Sequence, residues 1–575
     1  MKTPKKISYG HCNFERIRKE NYVYVDKTRF IEMIENEANS YHFLIRPRKF
    51  GKSLFLSTLR HYYDICYADK FDELFGDLYI GKNPTPKRNS LFVLEFSFSG
   101  LDTSSREKFE VSFTGAIRGS IQSFLIEHRF IISNYEELTK IAWNIDNVRD
   151  CIEFAFNLIN SFGRKAYIII DEYDHFANDL IAQGTNLSIQ HYKELIWANG
   201  VVRDFYETLK DNTKKVIDTI FITGITPIML DDVTSGFNIS NNLSNDLRYN
   251  EILGFTEDEV EFLIDECGID RAKITVDRKF LYNGYQFHQN AGNKLYNPSM
   301  MLYFLNKVNI TEGEIEELVD DNLKTDYGRI QMLLNKPENV EKLENIIEFD
   351  KIPSKVISRF SVERIHDLEN FLSLLYYMGL LTIEKDTESN SPLLRVPNYS
   401  IKTMYWEYIR HILKNQIPEL SHNEINYYAS LKDFAIHEKP EAFIKFIHQY
   451  YVSRFSNRDF QRFDEKYIKA VILTLMFQGS YYLPISELEN SEGYSDIYLQ
   501  RRNLYTNVKT DWVWEIKYVK ETNAKKATLI EEKKSKAIEQ LQRYKTSNLF
   551  KDRNDVRYLA VVFIGKKKYW IEEVS

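Results

Sequence analysis

The sequence predicts an α/β protein: a parallel sheet with a helical lid, then a helical middle region, then a second α/β domain. Three observations predict this order. Up to about residue 305, apolar strand-like runs alternate with helical segments, as in a parallel sheet with crossover helices. Helical periodicity dominates residues 306–440, and strands return in residues 441–575. We therefore expect domains at 1–305, 306–440 and 441–575, in line with about 100–200 residues per domain.

Four apolar segments predict the strands of the first sheet. They are residues 41–47, 90–102, 165–174 and 216–227. The third run is almost continuously apolar, which is typical of a strand covered on both faces. Thr256 is followed three residues later by Glu259, a pattern that predicts a capping box at the start of a helix. We expect this helix to begin the lid.

The middle and C-terminal regions give a second set of elements. A hairpin is predicted over residues 380–398, after several helical segments. Helices followed by a hairpin fit a winged-helix-like module, and a plain helical linker domain fits equally well. The C-terminal region predicts a helix near 464–478, strands near 494–500 and 510–519, and a long helix near 525–545. Two further strands end the chain.

Composition excludes several classes of protein. The net charge of −7 argues against a chain that binds nucleic acid over its whole surface, so such binding would need a local basic surface. The four cysteines are far apart and form no CxxC pair, which argues against a zinc site or a disulfide framework. The N-terminus lacks an apolar signal segment, and no run reaches about 18 apolar residues. We therefore expect a cytoplasmic protein without a membrane partner.

A phosphate-binding loop is predicted where the first strand ends and a helix begins. The loop pattern is G-x-x-x-x-G-K-[ST], in which backbone N–H groups and the helix N-terminus surround the phosphates. Lys52 would reach the β- and γ-phosphates, and Ser53 would give its hydroxyl to Mg²⁺. Arg46 stands where the pattern has its first glycine. The residues expected to bind the nucleotide are Arg46, Pro47, Arg48, Lys49, Phe50, Gly51, Lys52 and Ser53.

Two acids end the third predicted strand. Asp171 is the expected Mg²⁺ partner, through water or Ser53, and Glu172 is the expected general base that polarises the attacking water. Asp174 is a further carboxylate on the same turn. A strand that ends in solvated acids is the alternative, but the pairing with Lys52 favours a nucleotide site.

A second group of charged residues lies in the C-terminal domain. Glu515 and Lys517 are two apart on a predicted strand and therefore project to one face. Asp496 on the neighbouring strand could meet Glu515 and bind a hard divalent cation such as Mg²⁺. Such a cation would neutralise a scissile phosphate and lower the pKa of a bound water, and Lys517 would position the nucleophile or a phosphate oxygen.

Further residues could assist this second group. Glu465 on the preceding helix and Glu487 on the preceding strand could add or orient a ligand. The helix near 525–545 has an apolar stripe with lysines beside it, which could track a phosphate backbone or simply be solvated. These lysines are Lys525, Lys526, Lys533, Lys534 and Lys536.

The chain resembles a known family. The segments VYVDKTRFIEMI, RPRKFGKS, IIIDEYD, FITGI, LGFTEDEV and YNPSMMLYFL resemble those of bacterial AAA-ATPase-like proteins with a C-terminal PD-(D/E)XK nuclease domain. SDI…WEIK resembles the D…ExK core of restriction-endonuclease-like nucleases. The resemblance implies an AAA-like P-loop fold, with ATP and Mg²⁺ as cofactors. It also implies a nucleic-acid partner, with DNA as the first expectation. Members of this family tolerate arginine at the position of the first loop glycine. Ring assembly in AAA proteins leaves a homo-oligomer open.

The resemblance also implies roles for single residues. Thr223, which ends the fourth strand, would sense the γ-phosphate, and a simple capping role is as good an explanation. Gln540 would face the nuclease site, as a glutamine does in many such nucleases. Arg203 and Arg248 are candidate cations for the transition state, although surface salt bridges explain both better.

Three functions remain open from the sequence. In the first, the nucleotide state of an ATPase controls a nuclease that cleaves phosphodiesters. In the second, the protein is a non-catalytic, nucleotide-dependent switch or scaffold with a degenerate nuclease domain. In the third, the chain is a nuclease whose P-loop serves only the fold. The first is the leading hypothesis.

Overall fold

The structure is a computed structural model. It describes residues 3–182, 190, 192–194, 200–228, 239–310, 319–320, 346, 351–359, 364, 367–386, 389–416, 424–453 and 465–575. Within these residues the chain forms two compact units, and the first ends at Tyr399 where the second begins at Ser400. The expected domain borders at 305/306 and 440/441 stay predictions.

The first unit contains a five-stranded parallel sheet. Its strands are β1 (Tyr41–Ile45), β2 (Phe92–Ser97), β3 (Ala166–Asp171), β4 (Ile217–Gly224) and β5 (Asn241–Asn242). Their spatial order is β2–β3–β4–β1–β5, and each neighbouring pair is parallel. The four predicted strands are confirmed, and β5 is an addition. Because the strands are parallel, their carboxyl ends lie at the same edge of the sheet. The ends of β1, β4 and β3 are neighbours there, since β4 lies between the other two.

The first unit also contains helices. They are α1 (Phe14–Lys19), α2 (Arg29–Glu35), α3 (Lys52–Tyr63), α4 (Phe71–Phe75), α5 (Tyr79–Lys82), α6 (Arg106–Glu127), α7 (Tyr135–Trp143), α8 (Val148–Ser161), α9 (His175–Ala182), α10 (Val201–Asn212), α11 (Glu257–Glu266), α12 (Arg278–Tyr282) and α13 (Pro298–Ile310). Helix α3 packs on β2 and β3, and α6 packs on β2. The predicted capping box is confirmed: Thr256 and Glu259 exchange both of its hydrogen bonds at the start of α11.

The first unit also includes a small antiparallel sheet. Helix α14 (Leu368–Tyr377) precedes the hairpin of β7 (Thr382–Lys385) and β8 (Pro392–Arg395), which confirms the hairpin expected over 380–398. A third strand, β6 (Lys351–Pro353), pairs with β8. Most of residues 311–350 lie outside the described residues, so the winged-helix assignment stays a prediction.

The second unit contains a mixed sheet. Its strands are β9 (Tyr482–Asn490), β10 (Gly493–Arg501), β11 (Asp511–Val519), β12 (Val556–Ile564) and β13 (Lys568–Glu573), in the order β13–β12–β11–β10–β9. Only the β11–β12 pair is parallel among these neighbours. The helices are α15 (Tyr399–Gln416), α16 (Glu424–His437), α17 (Pro440–Ile447), α18 (Glu465–Gln478) and α19 (Ala527–Lys545).

Helix α19 is the crossover between the two parallel strands of this unit. Its apolar stripe is buried against the sheet through Ala537, Leu541 and Tyr544, as the sequence predicted. Helix α18 packs on β9, β10 and β11 of the same sheet. Asp496 and Glu515 lie within β10 and β11, the two strands that both helices contact. Within the part of the chain that is described, no helix combines the length and apolarity needed to cross a membrane.

Candidate functional site

The loop between β1 and α3 has the backbone of an anion site. Gly51, immediately before α3, has a φ of 92°, a left-handed conformation that favours glycine. Lys49 also adopts a left-handed backbone, with a φ of 64°. Because α3 begins at Lys52, the free N–H groups of its first turn follow the loop directly, and they attract anions.

Residues at the start of α13 donate hydrogen bonds to carbonyl groups of this loop. Asn297 Nδ2 donates a hydrogen bond to the Arg48 carbonyl at 3.3 Å, and the Ser299 N–H donates to the Lys49 carbonyl at 3.3 Å. Both contacts fix the backbone of the turn that would surround phosphates. The asparagine lies in the YNPSMM segment, which the sequence reading used only for the family resemblance.

The Arg46 side chain does not face the loop's interior. Its guanidinium donates to the carbonyls of Ile45 (2.9 Å), Ser244 (2.7 Å) and Tyr249 (2.8 Å), and it stacks 3.9 Å from the Phe287 ring. Only the Arg46 backbone is thus left to contact a nucleotide. Arg46 is not in the left-handed region, so a side chain is tolerated where the motif has its first glycine.

Lys52 is buried beneath the loop. Its Nζ donates to the carbonyls of Arg46 at 2.9 Å and Pro47 at 3.0 Å. Burial lowers the pKa of Lys52 to about 8, although the carboxylates of Asp171, Asp174 and Glu172 oppose the shift. The ammonium therefore lies within the loop that would bind the phosphates.

Ser53, Asp171 and Thr223 form a chain of hydrogen bonds across three elements. Ser53 Oγ donates to Asp171 Oδ2 at 2.8 Å, and Thr223 Oγ1 donates to Asp171 Oδ1 at 2.7 Å. The hydroxyl and the carboxylate expected to share Mg²⁺ are thus in contact at the carboxyl edge of the sheet. Their hard oxygen atoms fit the ligand preference of Mg²⁺.

The two remaining acids of this turn differ in their surroundings. Glu172 has a left-handed backbone, with a φ of 52°, and its side chain is 36% exposed. Asp174 is fully buried, and its carboxylate accepts hydrogen bonds from the N–H groups of Ile225 (3.1 Å) and Thr226 (2.6 Å). Asp174 therefore holds the end of β4, and Glu172 is the acid that can reach a ligand.

A cavity of about 500 Å³ adjoins the loop. Lys52, Ser53 and Glu172 line it, together with residues of the N-terminal segment, of 253–255 and of α13. Its volume lies in the range typical of small-molecule sites, roughly 300–1,000 Å³. The sequence reading missed the cavity residues His11, Cys12 and Phe255, because their position depends on the docking of separate segments.

The two candidate arginines are engaged in salt bridges, as the sequence reading favoured. Arg203 Nε lies 2.8 Å from Glu207, one turn later in α10. Arg248 pairs with Glu37 and Asp246, each at 2.6 Å. Neither arginine lines the cavity beside the loop.

Asp496, Glu515 and Lys517 meet in the second unit. Ile497 of β10 pairs with Trp514 of β11, and this register places Asp496 beside Glu515. The Ile516 N–H donates to Asp496 Oδ2 at 2.8 Å. Lys517 Nζ lies 2.6 Å from Glu515 Oε1 and 3.8 Å from Asp496 Oδ2.

Burial makes this cluster a suitable place for a cation. Glu515 is 1% exposed, and its Oε2 has no hydrogen-bond partner among the described residues. Burial and the charge of Asp496 raise the pKa of Glu515 well above its ordinary value, while the carboxylates raise that of Lys517. A buried carboxylate oxygen without a partner is costly unless a proton or cation compensates it. The donor set therefore fits a hard divalent cation.

Helix α18 adds two charged groups to this cluster. Glu465 Oε2 accepts a hydrogen bond from the Tyr518 N–H at 3.1 Å, and its Oε1 lies 3.5 Å from Lys517 Nζ. Lys469 Nζ lies 2.7 Å from Asp496 Oδ1. The sequence reading missed Lys469. Its position four residues after Glu465, on the same helix face, was the signal that could have found it.

Gln540 makes its hydrogen bond to Tyr544, whose ring lies near the charges of Glu515 and Asp496. Its Nε2 donates to the Tyr544 hydroxyl at 3.4 Å, and this hydroxyl donates to the Tyr494 carbonyl at 2.7 Å. Burial raises the pKa of Tyr544 to about 12, and the nearby charges of Glu515 and Asp496 add to the effect. The side chain of Glu487 lies outside the described part of the chain.

Comparisons with known proteins match each unit separately. Residues 8–234 match the family described as predicted AAA-ATPase, and residues 463–573 match the PD-(D/E)XK nuclease superfamily. An uncharacterized protein in the vnfD 5′ region of Azotobacter chroococcum mcd 1 is 26% identical over 413 residues, 69% of this chain and 68% of the relative. The Walker-type ATPase PABY2304 of Pyrococcus abyssi shares 15% identity at a TM-score of 0.38, covering 70% of this chain and 98% of that one.

Proposed function

Because residues 8–234 are a predicted AAA-ATPase domain and residues 463–573 a PD-(D/E)XK nuclease superfamily domain, we propose that this protein is an ATP-controlled nuclease. It binds and hydrolyses ATP, and the nucleotide state controls metal-dependent cleavage of nucleic-acid phosphodiesters. The observation that carries the proposal is the buried cluster of Asp496, Glu515 and Lys517 with its unpartnered carboxylate oxygen.

The residues of the first unit suit ATP hydrolysis. The α3 N-terminus and Lys52 bind the phosphates, and Lys52 exchanges its bonds to the loop carbonyls for bonds to phosphate oxygens. Ser53 and Asp171 would hold Mg²⁺, which would supply positive charge at the β- and γ-phosphates. Glu172 accepts a proton from the attacking water, since it is the acid of this turn that lines the cavity. Thr223 orients Asp171.

The residues of the second unit suit phosphodiester hydrolysis. Asp496 and Glu515 would hold a divalent cation, which would lend positive charge to the scissile phosphate and lower the pKa of a bound water. Lys517 positions the nucleophile or a phosphate oxygen. Glu465 orients Lys517 from α18, at 3.5 Å, and Gln540 supports the site through Tyr544.

A contact within the first unit supports nucleotide control. Gly379, between α14 and β7, lies so close to Pro47 of the phosphate loop that a Cβ on Gly379 would be 2.8 Å from the Pro47 Cβ. A change in the loop on nucleotide binding would therefore move the segment that follows Gly379. That segment is the β7–β8 hairpin, and it leads along the chain to Tyr399, where the first unit ends. We assign it, with α14, the role of a winged-helix-like relay.

The net charge of −7 requires a local basic surface for the nucleic acid. The region of α19 offers one, because Lys525 and Lys526, which come immediately before the helix, and Lys536 on the helix are exposed. We propose that this face tracks the phosphate backbone of DNA. The proposal extends to a cytoplasmic location and to a homo-oligomeric assembly.

A metal-titrated cleavage assay tests this function. Single- and double-stranded DNA are incubated with Mg²⁺, with and without ATP, and with wild-type protein, Asp496→Asn or Glu492→Gln. Glu492 is an exposed acid on the β9–β10 turn and serves as the matched control. We expect cleavage by wild type and by Glu492→Gln, and none by Asp496→Asn. Equal cleavage by all three proteins would refute the nuclease assignment.

A nucleotide-dependent switch with a degenerate nuclease domain is the second candidate. The observation that favours it is the salt bridge of Lys469 to Asp496, because two lysines then partly neutralise the three acids of the cluster without a metal. This function predicts ATP binding by the first unit and no cleavage of any nucleic acid at any Mg²⁺ concentration.

A further inference from the structure

A second group of metal-ligating side chains lies in the first unit, at the end of α3 that is remote from the phosphate loop. Asp64 follows the last residue of α3, Cys66 lies two positions later, and His128 follows the last residue of α6. One ligand atom from each residue lies within 4.8 Å of the other two. Asp64 and His128 are fully buried, and Cys66 is partly exposed.

The orientation of the His128 ring is fixed from behind. Its Nδ1–H donates to the Phe124 carbonyl at 2.7 Å, so Nε2 is the ring nitrogen that faces the cluster. Nε2 donates its own proton to Asp64 Oδ1 at 3.0 Å, and a bound cation would replace this proton. A backbone carbonyl on one ring nitrogen, with the other directed at a ligand group, is the usual arrangement of a metal-binding histidine. A nucleophilic triad is excluded, because Asp64 would then have to bind the nitrogen opposite to Cys66.

We propose that Asp64, Cys66 and His128 bind a divalent cation of the zinc class. Thiolate, imidazole and carboxylate ligands together suit Zn²⁺, whereas Mg²⁺ prefers oxygen ligands alone. The partial exposure of Cys66 leaves access for water as a fourth ligand. This revises the expectation from cysteine spacing: the ligands do not form a sequence motif, because the fold brings the ends of two helices together.

The position of the site suggests its role. Helix α3 begins with Lys52 and Ser53 and ends beside Asp64, so a bound cation would fasten the far end of the helix that carries the phosphate-binding residues. The cation would link this end of α3 to the end of α6, a helix that packs on β2. The site uses none of the residues assigned to ATP or to the nuclease, so its test does not depend on either activity.

A cobalt titration of the full, chelator-treated protein tests this site. Co²⁺ bound to a thiolate gives a charge-transfer absorption band that Co²⁺ on oxygen and nitrogen ligands does not give. The four cysteines of the chain all lie in the first unit, so the nuclease cluster cannot produce this band. We expect a band that saturates at one Co²⁺ per chain and is removed by Zn²⁺. It should be lost in Cys66→Ser and kept in Cys12→Ser, which removes an exposed thiol.

A measurement on wild type covers the case in which Cys66→Ser does not fold. Zn²⁺ should slow alkylation of Cys66, followed by peptide mass, and leave that of Cys12 unchanged. The proposal would be overturned by wild-type protein that shows no band, by a band that persists in Cys66→Ser, or by alkylation of Cys66 that ignores Zn²⁺.

Discussion

Ser53 and Asp171, 118 positions apart in the sequence, are joined by a hydrogen bond of 2.8 Å from the serine Oγ to the carboxylate. The serine comes from the first turn of α3 and the aspartate from the last position of β3. Both are the residue types that hold Mg²⁺ beside a nucleotide. Their contact places the expected cation site at the carboxyl edge of the sheet.

This contact predicts energetic coupling. Ser53→Ala and Asp171→Asn should each weaken ATP binding in the presence of Mg²⁺, because each would remove a proposed ligand of one cation. The double variant should lose less than the sum of the single losses, since neighbouring residues that share a partner are not additive. Calorimetric titration of ATP measures the three affinities, and titration without Mg²⁺ is the control. If the two losses in ATP affinity add exactly, Ser53 and Asp171 do not act on the same cation.

Glu172→Gln should leave ATP binding intact and lower turnover by roughly 10²–10⁴-fold, the usual contribution of a general base. The matched variant is Asp174→Asn on the same turn. It should instead lower the free energy of unfolding by about 1–3 kcal/mol, because the buried acceptor of the Thr226 hydrogen bonds changes. ATP hydrolysis and thermal unfolding are measured for both. Wild-type ATP turnover in Glu172→Gln would show that Glu172 is not the general base.

The lowered pKa of Lys52 predicts two opposite pH dependences. Between about 8 and the model-peptide value of 10.5, the unfolded chain binds more protons at this lysine than the folded protein does. Its contribution to the free energy of unfolding therefore rises with pH through this range. The proposed binding of ATP to the charged ammonium predicts that ATP affinity falls as pH rises above about 8.

Calorimetric titration of ATP at several pH values, between about pH 7 and pH 9.5, checks the Lys52 prediction. Lys52→Met should bind ATP weakly and with little dependence on pH in this range. An affinity of the wild type that stays constant above pH 8 would show that Lys52 does not carry the nucleotide's charge.

Much of both sites could be predicted because local patterns determine them. The alternation of side chains along a strand puts Glu515 and Lys517 on one face, and the hairpin spacing brings Asp496 beside them. Ser53 and Asp171 were expected to share Mg²⁺ because a G-K-S loop followed by an apolar strand that ends in acids is the pattern of a P-loop nucleotide site. In these cases the short sequence pattern is enough to predict which side chains lie close together.

Other features depend on distant packing and could not be read from the motif. The Arg46 side chain turns away from the loop because Ser244, Tyr249 and Phe287 offer carbonyls and a ring beneath it. No local pattern links these residues to the loop. The same holds for the cluster at Asp64 and His128, which forms only when α3 and α6 dock.

Lys469 gives a prediction for the second site. Its ammonium occupies Asp496 Oδ1 at 2.7 Å and therefore competes with a divalent cation for this ligand. Lys469→Met should bind Mn²⁺ roughly tenfold more tightly, an effect of about 1.4 kcal/mol. Electron paramagnetic resonance of free Mn²⁺ measures the affinity. Lys536→Met, which removes an exposed lysine paired with Glu532 on α19, should leave it unchanged. Weaker Mn²⁺ binding in Lys469→Met would show that the lysine assists the cation.

Nucleotide control of the nuclease is tested most directly by measuring DNA cleavage with and without ATP, in wild type and in Lys52→Met. At saturating Mg²⁺, ATP should change the wild-type cleavage rate by at least about fivefold, the lower end of typical coupling between sites. Lys52→Met should cleave at the wild-type rate found without ATP and should not respond to ATP. A wild-type cleavage rate that is the same with and without ATP, or an equal response in both proteins, would contradict nucleotide control of the nuclease.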